Sequence, residues 1–179
     1  MSLEVPDLPL LIGSGDLEAA RAVSDSRVTM TQLMAPQDAN LFGSVFGGVI
    51  LAAVDKIAYV CATRHACRPC VTVSVDQVVF RSPIEIGEIV TLDASVNTVG
   101  RTSVEVGVRV SAESVHGGLR RHTNSCYVTM VAIDEARRPV PVPRLRIETE
   151  EQYRRYHEAE ERRAASLELA RRRRAYRSD

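Results

Sequence analysis

One stretch of the chain combines residue types that could do chemistry. An apolar run from Val49 to Val60 is interrupted only by Asp55 and its neighbour Lys56. Burying an unpaired carboxylate is costly, so a helix that served only as core would not carry an acid there. Gly47 and Gly48 directly precede the run. At the start of a helix, the backbone N–H groups of such residues have no partner within the helix, and they can bind an oxyanion.

These residue types fit acyl transfer. A carboxylate can act as general base or nucleophile, and backbone N–H groups can stabilise a tetrahedral oxyanion. Asn40, in the loop before the glycines, can supply an amide that orients a carbonyl or a water molecule. The alternative is that Asp55 forms an ion pair at a subunit contact. Lys56 is a poor partner for it, because consecutive helical residues point about 100° apart.

The elements that must position these residues are a strand, a long helix and four more strands. A strand is predicted from Arg27 to Pro36, and a helix from about Gly47 to about Arg64, which is proline-free and rich in Ala, Leu and Ile. Four strand-like segments follow, at 70–80, 89–99, 102–113 and 121–134. In the first of these, Val71, Val73 and Val75 are expected to share one face.

The helix has apolar residues on nearly all sides, which predicts that it is buried all round. One flat sheet cannot cover it. We therefore expect an α+β fold in which a curled antiparallel sheet of about five to six strands wraps a long central helix. The apolar helix surface that the sheet leaves uncovered predicts a second subunit, and hence a dimer.

A charged C-terminal helix is predicted beyond Pro143. It opens with a capping box, Thr149 to Gln152, and carries Glu and Arg four residues apart. The predicted pairs are Glu150–Arg154, Glu151–Arg155, Glu158–Arg162 and Glu168–Arg172. The segment is interpreted either as a solvated tail or as an arginine patch for an anionic ligand or a neighbouring subunit. The predicted division is an N-terminal extension at 1–26 with a short helix at 16–23, a domain at 27–143, and a tail at 144–179.

Three segments resemble hotdog-fold acyl-CoA thioesterases, the branch of the YciA-type enzymes and the animal cytosolic acyl-CoA hydrolases. They read PQDANLFGSVFGGVILAAVD, FRSPIEIGEIV and VGRTSVEVGVRV, and the resemblance spans 27–143. It implies a single hotdog fold that works as a homodimer, often assembled into a trimer of dimers. It also implies acyl-CoA as substrate, with coenzyme A as part of that substrate and no separate cofactor.

The resemblance also implies roles for single residues. Asp55 corresponds to the catalytic carboxylate, Asn40 to its partner from the facing subunit, and Gly47 to the oxyanion donor, with Gly48 beside it. Residues expected along the coenzyme A arm are Arg81, Ser82, Arg101, Thr102 and Ser103. Glu88 stands where the family usually has Asp, a difference that is expected to be neutral.

Composition, segment length and cysteine spacing bear on the binding partners, the compartment and metal binding. The 179 residues have a formal net charge of zero, which gives no whole-chain indication of nucleic-acid or membrane binding. The N-terminus has no basic region of a signal peptide and no uncharged run is long enough to span a membrane, so a cytoplasmic protein is expected. Cys67 and Cys70 have redox-type spacing, but no second such pair completes a zinc site, and a structural or incidental role is favoured. No metal is expected.

Two other functions compete with hydrolysis. A hotdog dehydratase or hydratase needs a catalytic histidine, and none of the four histidines lies in the glycine loop or early on the central helix. A non-catalytic acyl-CoA sensor is the other alternative. The combination of Asn40 and Asp55 favours turnover over the sensor.

Overall fold

The computed structural model describes residues 9–13, 20–76 and 78–176. Their elements, in chain order, are β1 (Leu10–Ile12), β2 (Arg21–Ala22), α1 (Val23–Ser26), β3 (Val28–Leu33), α2 (Gly47–Ala66), β4 (Cys70–Asp76), β5 (Glu88–Val99), β6 (Ser103–Ser114), β7 (Arg121–Ala132), β8 (Leu145–Ile147) and α3 (Glu150–Ala175). Half of the helix predicted at 16–23 lies outside the described residues, and in its described half Arg21 and Ala22 form β2 while Val23 begins α1.

The main sheet has five antiparallel strands in the order β3-β5-β6-β7-β4, and α2 packs against one face of it. Alternate residues of β5 and β6 point toward the helix, because successive strand side chains face opposite sides. These inward residues are Val90, Leu92, Ala94, Val96, Val104, Val106, Val108 and Val110, and all are buried. The predicted α+β hotdog fold, a long helix wrapped by an antiparallel sheet, is confirmed.

The long helix α2 has one buried face and one exposed stripe. Residues spaced three or four apart face the sheet and are buried, among them Ile50, Val54, Ile57 and Cys61. The opposite stripe is exposed and contains Leu51, Asp55, Tyr59 and Val60. The prediction that the helix is buried all round is therefore wrong for a single chain, because five strands cover only one side of it.

The edge strand β4 contains a bulge that the sequence pattern hid. Its register against β7 shifts between Thr72 and Ser74, so one extra residue is accommodated there. Val71 consequently pairs with Val131, whereas Val75 pairs with the inward-facing Val128. The prediction that Val71, Val73 and Val75 share one face is wrong for this reason.

The C-terminal segment adds strand β8 and helix α3 to the fold. Strand β8 lies between β1 and β2 in a separate three-stranded sheet, and its Leu145 and Ile147 are completely buried. The first half of α3 packs across the outer face of the main sheet, where Arg162 forms a 2.7 Å ion pair with Glu105 and stacks on the Tyr127 ring. Residues 163–173 of α3 are exposed on all sides of the helix.

The pairing along α3 differs in part from the predicted pattern. The capping contact from the Gln152 N–H to the Thr149 hydroxyl forms, as do the ion pairs Glu151–Arg155 and Glu168–Arg172. Arg154 instead pairs with Glu158, and Arg162 turns to Glu105. Glu105 is buried, and a buried carboxylate without a partner is far more costly than a missing pair on an exposed helix.

Candidate active site

The loop between β3 and α2 holds Asn40 in a compact turn. The Asn40 side chain donates to the Ser44 hydroxyl (2.9 Å) and accepts from the Phe42 N–H (2.8 Å). Its backbone N–H donates to the Ser44 carbonyl at 2.7 Å. Gly43 lies inside this turn with φ of 86°, a left-handed conformation that favours glycine. The amide of Asn40 is thereby fixed just before the helix.

Helix α2 begins at Gly47, and its first N–H groups are free to bind a ligand. Among the residues that the structure describes, neither Gly47 nor Gly48 has a hydrogen-bond partner for its backbone N–H. Aromatic rings lie against both glycines. A Cβ atom would come within 3.3 Å of the Phe80 ring at Gly47, and within 2.3 Å of the Phe46 ring at Gly48. A side chain at Gly48 would require the Phe46 ring to move, and one at Gly47 would require a small shift of the Phe80 ring.

A cavity of about 250 Å³ adjoins Gly47. Its walls are mostly apolar and contain Val45, Ile50, Phe80, Arg81, Ser82, Pro83 and Ile84. The Ser82 hydroxyl is buried and has no hydrogen-bond partner among the described residues. The structure therefore brings two of the predicted substrate-binding residues, Arg81 and Ser82, together with the predicted oxyanion donor.

Asp55 lies on the exposed stripe of α2 and accepts a 2.6 Å hydrogen bond from the Thr72 hydroxyl. Within the described chain, no cation pairs with Asp55, so the alternative of an intrachain ion pair with Lys56 has no support. Thr72 was not among the predicted site residues. It belongs to β4, and only the packing of that strand beside α2 brings its hydroxyl to Asp55.

A single chain does not bring all the predicted residues together. Asp55 follows Gly47 by two turns of helix, about 12 Å along the axis. Arg101, Thr102 and Ser103 lie at the β5–β6 turn, at one end of β5. Ser82 precedes the opposite end of this strand, and the 12 residues of β5 span about 37 Å. The β4–β7–β6 register puts Thr72 in one row with Met130 and Val104, so this turn lies nearer to Asp55 than to Gly47.

The other reactive side chains are buried or lie elsewhere. All four cysteines are free thiols, and burial raises the pKa of Cys61 to about 12. His65 is completely buried near the C-terminal end of α2, where it contacts the Pro143 carbonyl. In the described ranges, no group of three or more His, Cys, Asp or Glu side chains could hold a metal ion. None of the described helices is both long and apolar enough to cross a membrane.

A second groove, about 950 Å³, lies on the other face of the sheet beside α3. Its walls are mostly polar and include Asp93, Arg109, Arg120 and Arg155. None of the candidate residues described above borders it.

Sequence comparisons agree with this geometry. The thioesterase superfamily profile matches residues 42–118. Protein VdlD of Helicobacter pylori is 43% identical over 134 residues, which cover 75% of this chain and 76% of VdlD. An uncharacterized acyl-CoA thioester hydrolase of Bacillus subtilis, YkhA, is 39% identical over 132 residues, covering 74% of this chain and 77% of YkhA. The chain belongs to the hotdog-fold acyl-CoA thioesterases.

Solved structures of acyl-CoA thioesterases superpose on most of the chain. An apo-hexameric acyl-CoA thioesterase has a TM-score of 0.81 at 40% identity, covering 84% of this chain and 97% of that one. The acyl-CoA hydrolase of Staphylococcus aureus, in complex with butyryl coenzyme A, coenzyme A and coenzyme A disulfide, has a TM-score of 0.80 at 31% identity, covering 89% and 99%. Structures of three alanine variants of the S. aureus hydrolase, which replace an Asp, an Asn and a Thr, are similar to this acyl-CoA thioesterase as well.

Proposed function

We propose that this thioesterase hydrolyses acyl-CoA to a free acid and coenzyme A, with Asp55 as the catalytic carboxylate. The observation that carries the proposal is the 2.6 Å contact in which the Thr72 hydroxyl orients Asp55 on the exposed stripe of α2. A carboxylate held in this way, without a cation to neutralise it, can accept a proton from water or attack a thioester directly.

The S. aureus hydrolase supports these assignments. In that enzyme the substituted Asn precedes the substituted Asp, and the substituted Thr follows it. Their separations along the chain equal those of Asn40, Asp55 and Thr72 here. We therefore infer that these three residues act together, with Thr72 as the orienting group.

We propose that each active site is completed by a second copy of the chain. The 12 Å that separate Gly47 from Asp55 along α2 are too long for both to contact one thioester carbonyl. If two α2 stripes face each other in opposite directions about a two-fold axis, Asp55 of one chain meets Asn40 and Gly47 of the other. The Gly47 N–H then stabilises the oxyanion, and Gly48 lets the substrate approach the backbone closely.

The remaining predicted contacts fit an extended substrate. Arg81 and Ser82 border the cavity beside Gly47, and Arg101, Thr102 and Ser103 lie at the far end of β5 in the same chain. In a dimer, both regions can contact one coenzyme A molecule, and the arginines suit its phosphates. The similarity to an apo-hexameric thioesterase supports a trimer of such dimers.

The test is thiol release from a panel of acyl-CoA substrates by wild-type and Asp55→Asn protein. Loss of the general base or nucleophile should lower kcat by about 10²- to 10⁴-fold. Asp93→Asn is a matched control, because Asp93 also accepts a hydrogen bond from a threonine, Thr29 at 2.7 Å, on the outer face of the sheet. The Asp93→Asn protein should keep wild-type kcat.

Two outcomes contradict the proposal. Thiol release by the Asp55→Asn protein at the wild-type rate would remove Asp55 from the mechanism. A wild-type protein that binds acyl-CoA tightly in calorimetry but releases no thiol would instead be an acyl-CoA sensor.

A further inference from the structure

A partly buried ion pair between Glu88 and Arg121 lies behind the cavity wall and takes no direct part in the proposed chemistry. Both carboxylate oxygens of Glu88 accept hydrogen bonds from the Arg121 guanidinium, each at 2.6 Å. Glu88 is only 8% exposed. It shares the helix-facing side of β5 with Val90 and Leu92, because these residues alternate along the strand. Two-point contacts of this kind fix geometry more strictly than a single charge contact does.

The pair also holds the loop that precedes β5. The Arg121 guanidinium donates a further hydrogen bond to the Pro83 carbonyl at 2.8 Å, and Glu88 accepts one from the Glu85 N–H at 2.9 Å. Pro83 and its neighbour Ser82 form part of the wall of the cavity beside Gly47. The two charged side chains thus fix the backbone of the segment that lines this cavity.

That segment in turn contacts the loop that carries Asn40. The Val45 N–H donates to the Ile84 carbonyl at 2.8 Å, and Ser44 forms an isolated β-bridge with Glu85. Ser44 receives the hydrogen bonds from the backbone and the side chain of Asn40. A continuous set of hydrogen bonds therefore runs from the ion pair through residues 83–85 to Asn40.

We propose that Glu88 and Arg121 are positioning residues of the active site, which set the cavity wall and the loop of Asn40 relative to the start of α2. The inference rests on the proposed function, and it adds two residues that do not touch the substrate. If the oxyanion donors at the start of α2 and the Asn40 amide are displaced by about 1 Å, the rate of hydrolysis can fall about 10²-fold.

The alternative is that the pair only stabilises the end of the sheet. Glu105 provides the comparison, because it is 6% exposed and pairs with Arg162 on the opposite face. Glu105→Gln removes another partly buried ion pair between Glu and Arg, formed through one carboxylate oxygen, and Glu105 has no contact with residues 40–48. If the pair only stabilises the fold, Glu105→Gln and the variants of Glu88 and Arg121 should affect residues 40–48 alike. If the pair positions the active site, only the variants of Glu88 and Arg121 should affect them.

Amide hydrogen exchange provides a test that does not depend on activity. In Glu88→Gln and Arg121→Lys proteins, the N–H groups of Asn40 and Val45 should exchange about ten-fold faster or more, because their local opening becomes easier. Exchange within β6 should stay at the wild-type rate, and Glu105→Gln should leave residues 40–48 unchanged. Wild-type exchange at Asn40 and Val45 in both variants, or an equal increase in Glu105→Gln, would overturn the proposal.

Kinetics with a single acyl-CoA give the second test. Each single variant should lose about ten-fold in kcat with KM changed by less than about two-fold, the pattern of an interaction that matters in the transition state. The double variant Glu88→Gln/Arg121→Lys should lose no more than the more affected single variant, since the two side chains act as one unit. If the kcat losses of the two single variants multiply in the double variant, Glu88 and Arg121 do not act as one unit. If wild-type protein releases no thiol, the proposed function fails, and the exchange result still decides whether the pair holds the loop.

Discussion

At the residue scale, the contact between Thr72 and Asp55 leaves the two carboxylate oxygens in different surroundings. The Thr72 hydroxyl donates to Oδ1, and Oδ2 has no hydrogen-bond partner within the described residues. In the proposed mechanism, Oδ2 is the atom that we expect to accept a proton or to attack the thioester. We expect the threonine to act by restricting rotation of the carboxylate.

Thr72→Val should lower kcat by about ten-fold while the protein stays folded, because valine keeps the shape and β-branching of threonine but lacks the hydroxyl. Thr72→Ser keeps a donor and should remain within about three-fold of wild type. The measurement is steady-state thiol release. Thr29→Val is the matched control, since it removes the equivalent hydrogen bond to Asp93 away from the site. A Thr72→Val protein with wild-type kcat would show that Asp55 needs no orienting partner.

At the element scale, the sequence predicted what depends on local pattern and missed what depends on pairing. Helix α2, the four strands after it and the glycines at its start follow from composition and periodicity, and Asp55 was conspicuous because it interrupts an apolar run. Thr72 was not conspicuous in the sequence, because threonine is common in strands. Only the β4–β7 register brings this threonine to α2. The bulge in β4 and the turn of Arg162 toward Glu105 are likewise set by contacts between distant segments.

A buried histidine near the C-terminal end of α2 should make the free energy of unfolding depend on pH. His65 is completely buried, and desolvation is the main cause that lowers its pKa below 6.5; nearby Arg21 lowers it further, while the Pro143 contact and Asp25 oppose the shift. Below pH 6.5 the unfolded chain binds a proton at this residue that the folded chain does not. The free energy of unfolding should therefore fall as the pH decreases from about 7 to about 5, with a slope of up to about 1.4 kcal/mol per pH unit.

Chemical denaturation at several pH values measures this slope. His65→Gln cannot titrate and should reduce it, although the variant is less stable at every pH by about 1–3 kcal/mol. Glu88, whose pKa the Arg121 contact lowers from 4.5, contributes mainly below about pH 5.5, at the lower end of this window and beneath it. Parallel curves for the wild-type and His65→Gln proteins would contradict the assignment to His65.

At the scale of the whole molecule, one group of exposed apolar residues lies on the side of α2 that carries Asp55. The exposed residues are Leu51, Tyr59 and Val60 on α2, Val75 on the helix-facing side of the edge strand β4, and Leu41 and Phe42 in the loop beside Asn40. Monomeric proteins avoid a long apolar edge strand, because its free backbone groups pair with other chains. The same surface carries Asp55 and adjoins the start of α2. Dimerisation and assembly of the active site are therefore expected to be one event.

This coupling predicts that two inactive variants restore each other. In a dimer of one Asp55→Ala chain and one Asn40→Ala chain, one site combines both substitutions and the other combines the intact Asp55 with the intact Asn40. Random mixing by co-expression should therefore recover about a quarter of wild-type kcat per chain, while each variant alone stays at background. The measurement is thiol release by the co-purified mixture, with separately purified variants mixed without subunit exchange as the control. Recovery depends on Asp55 and Asn40 coming from different chains, because a site built within one chain leaves both chains of every mixed dimer defective. A co-expressed mixture that stays at background, although mass measurement shows mixed dimers, would place each complete site within one chain.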